Sequence, residues 1–276
     1  MAGMTSAMPR SMQVPCAIAA GCDMFLFFND IEEDFGYMLK GYQDGILTEE
    51  RLNDAVTRIL GLKAYLNLPQ KQKEGRLVPP KEGLSVIGCE KHLKMAALAA
   101  KKSITLVKDT HKNLPVSPAT HKRAYVYVIS SPPVSRGNKA DPVKQLVREE
   151  MEQYGYQVTM HDSFYDLSVK GEVSREEELR TVIIGKVEEF KQKYDCVFVF
   201  INMKGYAQQN NVRLEWSIGH SVEIPWYVKE LPTIFVSLNY TNHLLDVPMA
   251  KTFINAYAPT REVVRQTLQK AAGEAS

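Results

Sequence analysis

A helical pattern of apolar positions occupies most of the first 68 residues. Apolar residues recur with a 3.6-residue period over residues 31–42 and 52–62, which predicts two amphipathic helices. Thr48, followed by two glutamates, is a typical N-cap for the second helix. Residues 11–21 are mildly helical and end in Gly21, a residue type that often terminates a helix. Together these patterns predict three helices.

The pattern changes at residues 23–28, where DMFLFF forms a short continuous apolar run. Such a run is typical of a strand covered on both faces, as in a parallel sheet. Asn29 and Asp30 follow it. Ligand sites of parallel α/β folds gather after the carboxyl ends of strands, so these two residues are candidates for substrate binding. The alternative, which their spacing favours, is that one of them only caps the next helix.

Beyond residue 83, short apolar runs alternate with helical patterns, and this predicts an α/β fold. Alternation of this kind indicates a mostly parallel sheet sandwiched by helices. The predicted strands span residues 104–107, 124–129, 157–160, 197–201, 233–237 and 252–256. The predicted helices span residues 90–101, 142–154, 175–194, 214–222 and 260–272, and residues 239–249 are predicted to form a short helix or a loop.

A polar stretch over residues 69–82, rich in Pro, Lys and Gln, separates the two patterns. Pro79 and Pro80 fit neither a helix interior nor a central strand. We therefore predict a semi-rigid linker there, with the entry helix of the second domain behind it.

Composition narrows the classes of function. The 276 residues are 45% hydrophobic and 24% charged, and the formal net charge is +2. This balance excludes predominant disorder and argues against a nucleic-acid binder. No apolar stretch is long enough for a membrane span, and the start of the sequence has no apolar core of a secretory signal. The four cysteines read as buried thiols in a reducing compartment, which favours the cytoplasm.

No motif of cofactor or metal chemistry is found. There is neither a GxxxxGK(S/T) loop nor a GxGxxG turn, which excludes the usual nucleotide sites, and no two histidines have metal-ligand spacing. We expect no cofactor and no metal. The run Gly219–Glu223 only approximates a nucleophile elbow, and His161-Asp162 after a strand fits a simple turn better than a ligand site.

Three stretches resemble glycoside hydrolase family 3, in its two-domain β-N-acetylglucosaminidase branch. AIAAGCDM at residues 17–24 with GILTEERLNDAVTRIL at 45–60 is similar to the signature that closes that family's (β/α)8 barrel. AAKKSITLVKD at 99–109 with LP at 114–115 is similar to the entry into its second domain. DVP at 246–248 with TFINAY at 252–257 is similar to a segment near its C-terminus.

The resemblance implies three parts: a remnant of a (β/α)8 barrel at residues 1–68, a linker and entry helix at 69–102, and an α/β sandwich domain at 103–276. It also implies that the catalytic aspartate lies just before Met1, with the His–Asp acid/base dyad earlier still. No catalytic residue is therefore assigned in this chain, and neither Glu172 nor Glu215 is assigned a role.

The resemblance therefore predicts that this chain is the C-terminal portion of a retaining glycosidase. The complete enzyme would hydrolyse terminal β-N-acetylglucosaminides, and this portion would be inactive by itself. Carbohydrate would bind only through the missing barrel. The main alternative is a stand-alone, non-catalytic α/β module for interaction or ligand binding. A lone barrel strand would leave apolar side chains exposed. We therefore expect residues 1–68 to be poorly ordered or repacked, for example against a second copy in a homodimer.

Overall fold

A computed structural model describes residues 6–130, 142–161, 187–203, 214 and 225–274. The chain divides into two compact units, residues 1–87 and 88–276. Among the described residues, no helix combines the length and hydrophobicity needed to cross a membrane.

Unit 1 is helical in the part that the structure describes. Its helices are α1 (Arg10–Ala19), α2 (Ile31–Gln43), α3 (Glu49–Tyr65) and α4 (Leu68–Lys73), followed by a 3-10 helix (Lys81–Val86). The predicted cap of α3 is confirmed, because the Thr48 hydroxyl accepts a hydrogen bond from the Arg51 amide at 3.2 Å.

α1 and α2 pack closely where a glycine meets a proline. A Cβ added at Gly41 would lie 2.3 Å from Cβ of Pro15, so only glycine fits this crossing without a shift. Arg10 of α1 pairs with the buried carboxylate of Asp34 in α2, which fixes the other end of the contact.

The predicted strand over residues 23–28 is wrong, since no strand forms there. Leu26 and Phe27 are nearly 90% exposed, and Met24 and Phe28 are more than half exposed. A strand needs a neighbour to receive its backbone hydrogen bonds, and unit 1 has no strand among its described residues. The predicted linker is also more regular than expected, because residues 68–73 and 81–86 form short helices.

Unit 2 contains a six-stranded sheet with helices. After α5 (Glu90–Ser103) come β1 (Thr105–Asp109), β2 (Arg123–Ser130), α6 (Pro142–Tyr154), β3 (Gln157–Met160), α7 (Val187–Lys193) and β4 (Cys196–Asn202). A 3-10 helix (Trp226–Lys229), β5 (Thr233–Ser237), another 3-10 helix (Thr241–Leu245), β6 (Thr252–Asn255) and α8 (Arg261–Ala271) complete it.

The sheet order is β1-β6-β5-β4-β2-β3, and all neighbours are parallel except β1 with β6. This confirms the predicted α/β class with a mostly parallel sheet. Every residue of β4, β5 and β6 is buried, because helices or loops cover both faces of these central strands. The continuous apolar runs in the sequence reflect this double burial.

Two apolar cores lie on opposite faces of the sheet. One holds Val126, Phe198 and Ile254 against α5, α6 and α8. The other holds Val199 and Phe235 against α7 and the two 3-10 helices. Apart from Leu214, the predicted helix over residues 214–222 lies outside the described residues, as does the first part of the one over 175–194.

Candidate functional site

The carboxyl edge of the parallel sheet is the place in unit 2 where the topology favours a ligand site. The chain passes from β2 to β3 on one side and then to β4 on the other, so the strand order reverses between β2 and β4. Ligands of open α/β sheets bind at such switch points, beyond the carboxyl ends of the strands. Ser130 and Asn202, the last residues of these two strands, are register partners there.

A chain of neutral polar side chains crosses this edge. The Asn202 amide Nδ2 donates to Oγ of Ser130 at 3.3 Å, and the Asn239 amide Nδ2 donates to Oδ1 of Asn202 at 2.7 Å. Because these groups carry no formal charge, the edge suits neutral polar groups, such as hydroxyls, better than a phosphate.

Ser237 and His243 form a buried pair beside this chain. The Ser237 hydroxyl donates to the carbonyl oxygen of Tyr240, so it accepts a hydrogen bond from Nδ1–H of His243 at 2.8 Å. Burial lowers the pKa of His243 below its usual range, which favours the neutral ring. A nucleophilic serine would instead donate its proton to the histidine, so this pair is not a Ser–His catalytic pair.

Asn255, at the carboxyl end of β6, has a buried Oδ1 with no hydrogen-bond partner among the described residues. Nε2 of His243 is likewise buried without a hydrogen-bond partner among the described residues. Leaving such an atom unpaired costs about 1–3 kcal/mol. Asn255 is the register partner of Ser237, which places this unpaired acceptor in the same row of strand ends.

His161 lies just after β3, as the sequence predicts. Its Nδ1 is 2.9 Å from the Tyr125 hydroxyl, and its ring stacks on Tyr127 with centroids 4.0 Å apart. These contacts indicate a structural role for His161 within an aromatic cluster. Asp162, the other half of the sequence pair, lies outside the described residues, as does the run Gly219–Glu223.

Asn29 and Asp30 lie together at the N-terminus of α2 in unit 1. The Asp30 carboxylate accepts hydrogen bonds from the amides of Glu32 and Glu33 at 3.0 and 2.9 Å, so it caps the helix as the alternative predicts. The backbone amide of Asn29 donates to the Asp34 carboxylate at 3.1 Å, and both candidates are exposed. A substrate role for Asn29 and Asp30 stays a prediction.

A set of charge contacts holds the segment before these residues. Arg51 of α3 binds the Asp23 carboxylate and donates to the carbonyl oxygens of Ile18 and Cys22 at 2.9 and 3.1 Å. The hydrogen bond from Arg51 holds the pKa of Asp23 below its usual range. Asp23 is therefore a structural anion and a poor proton donor. Sequence reasoning missed this contact because the two residues are 28 positions apart.

Reasoning from the sequence also missed the polar edge of the sheet. A usable signal was present, since Asn202 and Ser237 are the polar residues that end buried apolar runs. No group of three residues able to hold a metal ion occurs in the described part of the chain.

The sequence and fold have clear relatives, although no family model matches the chain. The β-N-acetylglucosaminidase/β-glucosidase of Cellulomonas fimi is 36% identical over 277 residues, which cover all of this chain and 46% of the relative. The solved structure of the β-glucoside phosphorylase BglX is 34% identical with a TM-score of 0.73, covering 99% of this chain and 45% of that one.

A glycoside hydrolase family 3 β-N-acetylglucosaminidase from Paenibacillus sp. str. FPU-7 has a TM-score of 0.55 over 99% of this chain and 47% of its own. At 15% identity it shares the fold only. The chain matches the C-terminal part of glycoside hydrolase family 3. The resemblance inferred from the sequence motifs is therefore confirmed. The chain spans about half the length of the relatives it matches.

Proposed function

We propose that this chain is the C-terminal portion of a family 3 enzyme that cleaves terminal β-N-acetylglucosaminides or β-glucosides with retention of configuration. The observation that carries this proposal is the 36% identity, over the whole chain, to the β-N-acetylglucosaminidase/β-glucosidase of Cellulomonas fimi. By itself the chain is inactive.

Three aspartates near the candidate substrate residues of unit 1 support this lack of activity. A retaining glycosidase needs a nucleophilic carboxylate and a second group that acts as acid/base at the scissile bond. The three aspartates around the candidate substrate residues are already engaged: Asp23 with Arg51, Asp30 with two helix amides, and Asp34 with an arginine. None of the three is free to attack a sugar or to protonate a leaving group.

Hydrolysis of nitrophenyl β-N-acetylglucosaminide and β-glucoside by the purified chain tests the proposal. We expect no release of nitrophenol above background. A chimera that joins the preceding half of the Cellulomonas fimi relative to this chain should release nitrophenol, whereas that half alone serves as the control. Turnover by the unmodified chain would contradict the proposal, and so would a folded but inactive chimera.

Phosphorolysis is a second candidate, favoured by the 34% identity to the β-glucoside phosphorylase BglX. In that reaction phosphate replaces water as the acceptor of the glycosyl group, so the product is a sugar phosphate. The same chimera distinguishes the two reactions. Release of nitrophenol that rises with phosphate and yields sugar phosphate supports phosphorolysis, and release of free sugar without phosphate supports hydrolysis.

The predicted substrate role of Asn29 and Asp30 is part of this proposal. In the active chimera, Asn29→Ala should raise KM, because it removes the exposed side-chain amide that we propose contacts the substrate. Asp30→Ser should do the same while keeping the cap, since serine also caps helices well. Unchanged kinetics in both variants would leave Asp30 with a capping role only.

A further inference from the structure

Two buried hydrogen-bond acceptors lie at the carboxyl ends of β5 and β6. Nε2 of His243 and Oδ1 of Asn255 have no hydrogen-bond partner among the described residues. His243 contacts Ser237 through Nδ1, and Ser237 is the register partner of Asn255 on a strand about 4.8 Å away. Phe235 and Phe253, two positions earlier on these strands, belong to the same core. Because side chains alternate along a strand, Ser237 and Asn255 share the sheet face on which His243 packs.

The hydrogen-bond pattern makes both unpaired atoms acceptors. The Ser237 hydroxyl donates to the Tyr240 carbonyl oxygen, so the proton of the neutral imidazole is on Nδ1 and Nε2 carries a lone pair. Oδ1 of Asn255 carries lone pairs only. Two acceptors cannot bond to each other. Since buried polar atoms in native proteins almost always have a partner, a bound molecule has to bring the donated protons.

Hydroxyl groups are the donors that fit this pair of acceptors. An anion such as sulfate has no proton to donate, and an ammonium group needs an anion to balance its buried charge. The carboxylate that acts electrostatically on His243 belongs to Asp246, and it already accepts a hydrogen bond from the Leu214 amide at 2.9 Å. A neutral molecule with neighbouring hydroxyls supplies both protons without adding charge.

Two exposed aromatic residues follow the same strand ends. Tyr240 follows β5 and is 37% exposed, and its ring meets the His243 ring edge-on with centroids 5.9 Å apart. Tyr257 follows β6 and is 42% exposed. Its φ of 70° is a left-handed conformation that bulky residues rarely adopt, and such strain clusters at ligand sites. Aromatic rings with a few well-placed polar groups are typical of small-molecule sites, and they suit the apolar face of a sugar ring.

We propose that the carboxyl ends of β5 and β6 bind a pyranose sugar whose neighbouring hydroxyls donate to Nε2 of His243 and Oδ1 of Asn255. The rings of Tyr240 and Tyr257 pack against the sugar. Because both acceptors are buried, binding requires the partly exposed Tyr240 ring to move aside from His243. All four residues belong to unit 2, so this site does not rest on the proposed catalytic function.

Nitrogen NMR of the full chain with isotope-labelled histidines tests this site directly. The resonance of His243 Nε2 is identified by its loss in His243→Gln. Titration with glucose or N-acetylglucosamine should shift this resonance, because a hydrogen bond to the lone pair changes the shielding of the nitrogen. Sodium sulfate at the same concentrations brings no donor and should leave the resonance in place. A resonance that neither sugar shifts would overturn the proposal, as would an equal shift with sulfate.

Asn255→Leu removes one of the two acceptors at nearly unchanged side-chain volume. This variant should bind the sugar on the order of tenfold more weakly, and its thermal stability without sugar should not fall, because an unpaired buried group is removed. Leu245→Ala is the matched control, since it changes an exposed side chain on the 3-10 helix that carries His243 and should bind as the wild type does.

Equal sugar affinity in Asn255→Leu and the wild type would also overturn the proposal. A marked loss of stability in Asn255→Leu would show that Oδ1 already has a permanent partner, such as an internal water, and this too would overturn it. These readouts involve no catalysis, so their failure leaves the proposed function unaffected.

Discussion

Replacing Gly41 by alanine tests how α1 and α2 are held together. The new Cβ would lie 2.3 Å from Cβ and 3.0 Å from Cγ of Pro15. Carbon atoms normally pack at about 3.5–4.0 Å, so the two helices have to separate by more than 1 Å at this point. Both Pro15 atoms belong to a ring fixed to the backbone, so no rotamer change can relieve the clash.

The magnitude follows from two opposing effects. Overpacking of this kind typically costs about 1–3 kcal/mol, while alanine in place of a helical glycine contributes about 0.8–1.0 kcal/mol. We therefore expect Gly41→Ala to lower the free energy of unfolding of unit 1 by up to about 2 kcal/mol. Gly36 is the matched control, because it lies in the same helix and its added Cβ would meet nothing within 4 Å. Gly36→Ala should stabilise the unit by roughly 0.5–1 kcal/mol.

Hydrogen exchange measured by mass spectrometry is the suitable assay. Both tryptophans, at positions 216 and 226, belong to unit 2, so tryptophan fluorescence does not report on unit 1. Peptides covering residues 10–43 should exchange faster in Gly41→Ala and more slowly in Gly36→Ala. If both variants became equally more protected, the close contact between Gly41 and Pro15 would be refuted.

Four further predictions concern the cap at Asp30, two titrating groups and the serine that pairs with His243. Asp30→Ala should lower the stability of α2 by about 1 kcal/mol, and Asp30→Ser should recover most of it; equal exchange of residues 31–35 in both variants would exclude the cap. The pKa of Asp23 is lowered in the folded chain, so its stabilising contact is present above its ordinary pKa and is lost as pH falls further. Protection of residues 18–23 should therefore decline in that acidic range, and in Arg51→Ala it should be weak at every pH. The pKa of His243 is also lowered, so unit 2 should lose stability as pH falls below the ordinary range of histidine, as followed by tryptophan fluorescence. His243→Gln should flatten this dependence of stability on pH. An unchanged dependence in that variant would contradict the assignment of the effect to His243. Ser237→Ala should cost about 1–3 kcal/mol at neutral pH, because Nδ1–H of the histidine loses its acceptor.

Local sequence patterns predicted the elements of unit 2 well. Residues 157–160 and 233–237 form the predicted strands with the predicted bounds. Residues 233–237 are apolar at their centre and fully buried, whereas residues 157–160 alternate polar and apolar side chains, as expected of a half-exposed strand. The environment of each strand in the sheet is therefore visible in its composition. The antiparallel pairing of β1 was not predicted, because the direction of a strand depends on its neighbour and not on its own residues.

The same reasoning failed at residues 23–28, where an apolar run of strand length forms no strand. Composition indicates that a segment can enter a sheet, but a strand exists only when another strand accepts its hydrogen bonds. The contact of Arg51 with Asp23 and the polar edge at Ser130 and Asn202 were missed for a related reason. Each joins residues far apart in sequence, and only the folded chain brings them together.

The sequence by itself determined the α/β class, most helix and strand positions, the cap at Thr48 and the match to family 3, because these rest on local periodicity and on motifs. Only the tertiary structure decided the strand order, the switch point between β2 and β4, the neutral pairing of His243 and the exposure of the apolar side chains at residues 26–28. The physical reason is that periodicity identifies an apolar face, whereas packing against distant residues decides whether that face is covered.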